Sequence, residues 1–223
     1  MPPEQALRIA RAFLPERPWG NRHDYCYARI KLRTDPLYPG VLHALVGTRA
    51  PVLDLGCGLG LLAHALRAAG MAQPYHGVDI DADKIGRAPR IAARAGIADV
   101  RFEVMDLGRQ WPQHAGSVCI LDMLQYLDAG RRSALLRHAA DMLVPGAKLV
   151  IRSGLGDANR RGRTTRVADL FAHLTGWMQE VPRSYPTRAG LQADLDAAGL
   201  RAEFSPLYGN TPFNNWLVVA WRA

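Results

Sequence analysis

The stretch Val52 to Gly60, "VLDLGCGLG", places a carboxylate, Asp54, two residues before three alternating glycines, Gly56, Gly58 and Gly60. Glycines just after an apolar run let the backbone turn sharply, and they let a ligand approach with no Cβ in the way. A helix that follows such a turn offers its unpaired N–H groups to the ligand. Dinucleotide sites use G-x-G-x-x-G, with a pyrophosphate over the helix N-terminus. Here the third glycine of that pattern would fall at Leu61. Asp54 is badly placed for a pyrophosphate and well placed for a cation, such as an amino acid with a free ammonium group.

The elements around this run alternate. "PVLDLG" reads as a strand, "LGLLAHALRAAG" as a helix, "YHGVDI" as a strand and "DADKIGRAPRIAARAG" as a helix that Pro89 should kink or split. "VRFEVMD" and "SVCILDML" are strands, the second apolar enough to be central. "DAGRRSALLRHAADMLVPG" is a long helix and "AKLVIRS" a fifth strand. Strands separated by helices imply a parallel sheet covered on both faces. A helix near 165–176 and another across "TRAGLQADLDAAG" precede two strands joined only by "GNTPF", which favours an antiparallel hairpin at the sheet edge. Before the glycines, residues 4–14 form a helix with Ala6, Leu7, Ala10 and Leu14 on one face. "DYCYARIKLR" is mixed, and "TDPLYPGVLHALVG" is a helix capped by Thr34 or Asp35 and ended at Gly47.

On these residues the chain resembles class I S-adenosylmethionine-dependent methyltransferases. "VLDLGCGLG" is similar to their first motif. "GVDID" resembles the end of their second strand, whose acidic residue meets the ribose hydroxyls, here Asp79 followed by Ile80. A carboxylate can accept from both hydroxyls of a vicinal diol. "VMDL" resembles the loop after the third strand that meets adenine, here Asp106 between Met105 and Leu107. "LDMLQYL" resembles the segment after the fourth strand, which borders the methionine end and the substrate, and "LVPGAKLVIR" the approach to the fifth strand. The resemblance implies a Rossmann-like, doubly wound α/β fold of seven strands in the order 3-2-1-4-5-7-6, the last antiparallel. It implies S-adenosyl-L-methionine as cofactor, S-adenosyl-L-homocysteine as product, and cofactor contacts from Asp54, Gly56, Cys57, Gly58, Asp79, Ile80, Met105, Asp106, Leu107 and Asp122. Read singly, Asp54 is equally a strand-end residue, Asp79 a helix cap and Asp106 a turn residue. Their joint placement at three successive strand ends favours the cofactor. One domain is expected over 1–223. It comprises a helical or lid segment at 1–49, a cofactor-binding core at 50–152, and a variable substrate segment with the hairpin at 153–223.

For catalysis the candidates are Gln125, Tyr126 and His23. Many relatives have histidine where this chain has Gln125, and an amide cannot take a proton at neutral pH. Tyr25 and Tyr27 are candidates for the substrate wall. "GLGDANRRGRTTR", after the fifth strand, offers Arg160, Arg161, Arg163 and Arg166 to a carboxylate, a phosphate or an acidic carrier protein. "YARIKLRTDPLY" and "GNTPFNNWLVVA" resemble segments of small methyltransferases of bacterial aryl-polyene and polyketide-type pathways, which implies an aromatic or carrier-bound acceptor.

The chain has 223 residues and a net charge of +8. Of its 28 basic residues only Lys31, Lys84 and Lys148 are lysine, so its high pI reflects an arginine bias with no aromatic–basic interleaving of the RNA-reading kind. RNA methylation and non-catalytic cofactor sensing stay as alternative functions, although a nucleic-acid partner is disfavoured. A homodimer is allowed. Three widely spaced cysteines without CxxC or CxxH disfavour zinc and disulfides, so no metal and a reduced, cytoplasmic setting are expected. The first twenty residues lack the apolar core of a secretory signal, and no run is long enough to insert in a membrane.

Overall fold

The computed structural model describes residues 1–156, 184–209 and 214–222. The expected helix near 165–176, the four arginines 160, 161, 163 and 166, and most of the "GNTPF" connection lie outside the described residues.

Seven strands form one sheet in the order β3-β2-β1-β4-β5-β7-β6. They are β1 (Val52–Leu55), β2 (Tyr75–Asp79), β3 (Val100–Val104), β4 (Ser117–Leu121), β5 (Leu149–Gly154), β6 (Leu200–Pro206) and β7 (Asn215–Arg222). β1 to β5 pair in parallel, while β7 runs antiparallel to both β5 and β6. The helices are α1 (Pro3–Ala10), α2 (His23–Thr34), α3 (Leu37–Leu45), α4 (Leu61–Ala68), α5 (Ala82–Arg94), α6 (Ala129–Asp141) and α7 (Arg188–Ala197). No helix among the described residues is long and apolar enough to cross a membrane.

Side chains alternate across each strand, so the sheet divides the core in two. Cys119, Val150 and Leu217 join the cluster beneath α1 to α4. Val118, Ile120, Leu149, Ile151 and Val218 join the cluster beneath α6 and α7. Both faces are therefore covered, which a largely parallel sheet requires.

Four expectations change. "DYCYARIKLR" lies within α2, a regular helix of twelve residues. Only Ala28 and Leu32 of α2 are buried, which is why its periodicity was hard to read. Pro89 does not split α5, which runs unbroken from Ala82 to Arg94. Pro89 sits on the exposed face, where water can replace the donor it lacks. The first helix ends at Ala10 and continues as a 3₁₀ turn, Arg11–Phe13. Its buried face uses Ala6, Ile9 and Ala10, with Ile9 taking the place expected of Leu7. At α3 the N-cap position is Pro36, not Thr34 or Asp35, and Asp35 just before it accepts from the Leu37 amide at 2.9 Å.

The loop between β1 and α4 depends on its glycines. Gly56, Gly58 and Gly60 all have positive φ, at 78°, 55° and 73°. A Cβ on Gly60 would stand 2.3 Å from Phe102 Cε1, whereas one on Gly146, φ +78°, would meet nothing within 4 Å. Gly60→Ala should therefore combine backbone strain with overpacking and cost at least ~2 kcal/mol. Gly146→Ala should cost only the strain, about 1 kcal/mol. Urea denaturation of the two variants measures the difference, and equal losses would contradict the contact.

Candidate functional site

A cavity of about 800 Å³ opens at the carboxyl ends of the parallel strands, where ligands sit in open α/β sheets. One side is built by the glycine loop. The amides of Gly56 and Cys57 both donate to the Val78 carbonyl, at 2.8 and 3.0 Å, which pins the loop to the tip of β2. Asp79, the last residue of β2, accepts from the Gly58 amide at 2.7 Å and from the Asp81 amide at 2.9 Å. Each oxygen keeps a lone pair for a ligand hydroxyl. Asp81 in turn caps α5, accepting from the Lys84 amide at 3.0 Å, and Lys84 Nζ lies 3.0 Å from its other oxygen. A Cβ on Gly58 would come within 4 Å of nothing but Lys84 Cδ, so this backbone is open to close approach.

Asp54 forms the floor. Its side chain is buried; Oδ2 accepts from the Tyr75 hydroxyl at 2.7 Å, and Oδ1 has no partner. Burial, opposed by the tyrosine hydrogen bond and reinforced by Asp79, pushes its pKa up to about 7. Such a carboxyl is poised for a cationic group, which would restore the ionised form. Cys57 is buried and its thiol is pushed up by burial, so it fills space. Gly77 on β2 makes that room: a Cβ there would be 2.7 Å from Cys57 Sγ.

The wall over the ends of β4 and β5 carries a ladder of four charges. Asp122 has φ +58°, uncommon for a residue with a side chain. Lys31 Nζ of α2 lies 2.7 Å from Asp122 Oδ2 and 3.7 Å from Asp35 Oδ2. Arg152 of β5 pairs with Asp122 Oδ1 and lies 3.1 Å from Asp35 Oδ2. Burial would raise the Asp122 pKa, but Arg152 and Lys31 hold it well below the usual carboxylate range. For Lys31 the opposing pull of burial is likewise outweighed, chiefly by Asp122, so its ammonium stays protonated. At the other end of α2, Asp24 pairs with Arg87 of α5.

The expected residues divide. Asp54, Gly56, Cys57, Gly58, Asp79, Asp122, Gln125, Tyr126, His23 and Tyr27 all line this cavity. Ile80, Met105, Asp106, Leu107 and Tyr25 do not. Ile80 is 68% exposed and Met105 is buried in the core under α6. Asp106 turns back on its own loop, accepting from the Gly108 amide at 2.8 Å. Tyr25 packs against the cluster beneath α1. His23, at the start of α2, sits 3.6 Å from Asp24. Gln125 is buried in a 3₁₀ turn, Leu124–Tyr126, and donates from Nε2 to the Asp122 carbonyl at 2.8 Å. Sequence reasoning missed Lys31, Asp35 and Arg152 as wall residues, along with Tyr38, Tyr185 and Asn215, which also line the cavity.

Residues 52–146 match the family model described as a methyltransferase domain. Among curated proteins none matches the chain. Magnesium protoporphyrin IX methyltransferase from Synechocystis PCC 6803, solved with bound SAH, superposes with a TM-score of 0.64 at 18% identity, over 97% of this chain and 93% of that one. An S-adenosylmethionine-dependent methyltransferase from Clostridium acetobutylicum ATCC 824 gives 0.65 at 12% identity, over 89% and 98%. Mitomycin 7-O-methyltransferase gives 0.69 at 22% identity, covering 89% of this chain but only 56% of that one.

Two outcomes follow from the charges. Asp54 is protonated at higher pH in the fold than in an unfolded chain, from about 7 against 3.8. The ligand-free protein should therefore lose stability as pH rises from about 4 to about 7. Asp54→Asn should remove that loss, read as a urea midpoint that no longer falls between pH 5 and pH 8. Arg152→Met leaves Asp122 and Asp35 sharing Lys31 alone, and should cost ~3 kcal/mol or more in the same assay.

The glycine loop, the carboxylates at successive strand tips and the strand order agree with the match: residues 52–146 fit the methyltransferase-domain model, and the chain has the Rossmann-like fold of class I S-adenosylmethionine-dependent methyltransferases.

Proposed function

We propose that this chain transfers a methyl group from S-adenosylmethionine to a small aromatic acceptor. The observation that carries the reading is one cavity lined by two chemically distinct sets of residues. The carboxylates Asp54 and Asp79 lie beside bare glycine backbone, and Tyr27, Tyr38, Tyr126 and Tyr185 line the same cavity. Its volume, about 800 Å³, is in the ~300–1,000 Å³ range of sites that enclose small molecules. Two of the similar structures, named for magnesium protoporphyrin IX and for mitomycin, are methyltransferases of small ring-containing molecules.

S-adenosylmethionine supplies a methyl group already made electrophilic by its sulfonium sulfur. The residues of this chain then have to hold, align and shield. Asp79 takes the ribose hydroxyls and Asp54 the cationic amino-acid end. The tyrosines confine a flat acceptor, and α2 covers the opening. Alignment of this kind contributes roughly 7 to 11 kcal/mol in favourable cases. Gln125 cannot accept a proton, Lys31 stays protonated, and Asp122 is held ionised, too weak a base to deprotonate a hydroxyl. Among the described residues that line the cavity, His23 supplies the imidazole. Attachment of the acceptor to a carrier protein rests on arginines outside the described residues.

Calorimetry with S-adenosylmethionine should show binding that Asp79→Ala weakens at least tenfold. Incubation with methyl-labelled cofactor and a cell extract should place label in the small-molecule fraction. Unchanged affinity in Asp79→Ala would count against the ribose role. Label in RNA or protein, or in no fraction, would overturn the acceptor class.

A further inference from the structure

Among the described residues four cations line the cavity, and each already faces a carboxylate. Lys31 pairs with Asp122, Lys84 with Asp81, Arg87 with Asp24, and Arg152 with both Asp122 and Asp35. Asp54 and Asp79 are in no ion pair among the described residues. This half-open charge pattern suits a cationic cofactor. Among the described residues it gives an anionic acceptor no unpaired cation, because a carboxylate or phosphate would have to displace Asp122 or Asp35 from a largely buried ladder. Displacement leaves a charge uncompensated, which is strongly unfavourable.

What the acceptor side does offer is neutral and fixed. Gln125 is buried, and its Nε2 donates to the Asp122 carbonyl at 2.8 Å. Only the amide NH₂ can make that bond, so its orientation is set and Oε1 remains as an acceptor. That Oε1 is buried with no partner. The Tyr185 hydroxyl is in the same condition. The two side chains belong to one small assembly. The Ser184 amide donates to the Gln125 carbonyl at 3.2 Å, and the Gly156 amide to the Pro186 carbonyl at 3.0 Å. Tyr185 packs against Gly154 at the end of β5 and against Gly156 because neither has a side chain: a Cβ on either would stand 2.9 to 3.0 Å from Tyr185 atoms. Both Gln125 and Tyr185 line the cavity.

We infer that Gln125 and Tyr185 read the acceptor, and that the acceptor is an uncharged planar molecule whose O–H or N–H donates to Gln125 Oε1. An unmet buried acceptor atom leaves its desolvation cost uncompensated. Sites built around such a group therefore reject analogues that lack the matching donor. Tyr185 answers with a hydroxyl that can donate to the oxygen of that same O–H group. Neither residue takes the proton; they position the acceptor. This inference rests on the methyltransferase reading above.

The test uses the full chain saturated with S-adenosylhomocysteine and three probes of one shape: 2-naphthol, 2-methoxynaphthalene and 2-naphthoate. Calorimetry should show 2-naphthol binding about tenfold more tightly than the methoxy compound, with 2-naphthoate weaker than 2-naphthol. Gln125→Met should bind S-adenosylhomocysteine as before, with the naphthol-to-methoxynaphthalene ratio reduced below about threefold. Tyr185→Phe should weaken 2-naphthol and leave S-adenosylhomocysteine unaffected. If Gln125→Met loses S-adenosylhomocysteine binding, the Tyr185→Phe comparison decides. Preference for 2-naphthoate, equal binding of naphthol and its methyl ether, no binding of any probe, or an unchanged ratio in the intact variant would overturn the inference alone. Failure of the native chain to bind S-adenosylhomocysteine would overturn the methyltransferase reading and this inference with it.

Discussion

The site depends on one interaction, the alternation of charges Lys31–Asp122–Arg152–Asp35. Helix α2 buries only Ala28 and Leu32, both in the cluster shared with α1. Hydrophobic burial therefore anchors α2 through two side chains only. The side of α2 that faces the cavity is joined to the strand ends by charge. Each member of the ladder is mostly shielded from water, and a single one left alone would be expensive. Together they neutralise one another across two elements of the sheet and one helix. The same set holds Asp122 at positive φ, and the Asp122 carbonyl in turn fixes Gln125. Helix position, strand-end geometry and amide orientation are thus consequences of a single neutral cluster.

The sheet and the glycine loop were legible because their signals are local. A strand, a glycine run and a helix in succession specify one turn, and positive φ at Gly56, Gly58 and Gly60 is what that spacing demands. Asp79 was legible for the same reason, since it stands at a strand end and its bonds are to Gly58 and Asp81 nearby in the fold. The ladder was not legible. Lys31 and Asp122 are 91 residues apart, and Arg152 and Asp35 are 117 apart. No pattern in either segment points to the other. One signal was present and unused: lysine is rare in this arginine-rich chain. Lys31 joins the ladder, Lys84 pairs with the cap of α5, and Lys148 donates from Nζ to the Ala44 carbonyl at 2.6 Å. Where arginine is the default cation, each surviving lysine occupies a place that suits a compact point donor.

The adenine-side expectation shows the opposite limit. Met105, Asp106 and Leu107 follow β3 as the pattern required, yet the cavity wall does not include them. β3 is an edge strand, and Asp106 is occupied by its own turn. Sequence order placed these residues at the correct strand tip, but whether a loop folds towards the cavity depends on hydrogen bonds that the order does not encode.

The insertion of β7 between β5 and β6 has a consequence for how the molecule is made. Both neighbours precede β7 in the chain, so each must wait, with an unfilled hydrogen-bonding edge, until residues 215–222 emerge. Waiting edges invite pairing with other chains. Asn215, the first residue of β7, also lines the cavity. A nascent chain can therefore assemble the glycine loop early while the opposite wall stays unfinished. Completion of the pocket and closure of the sheet are the same late event.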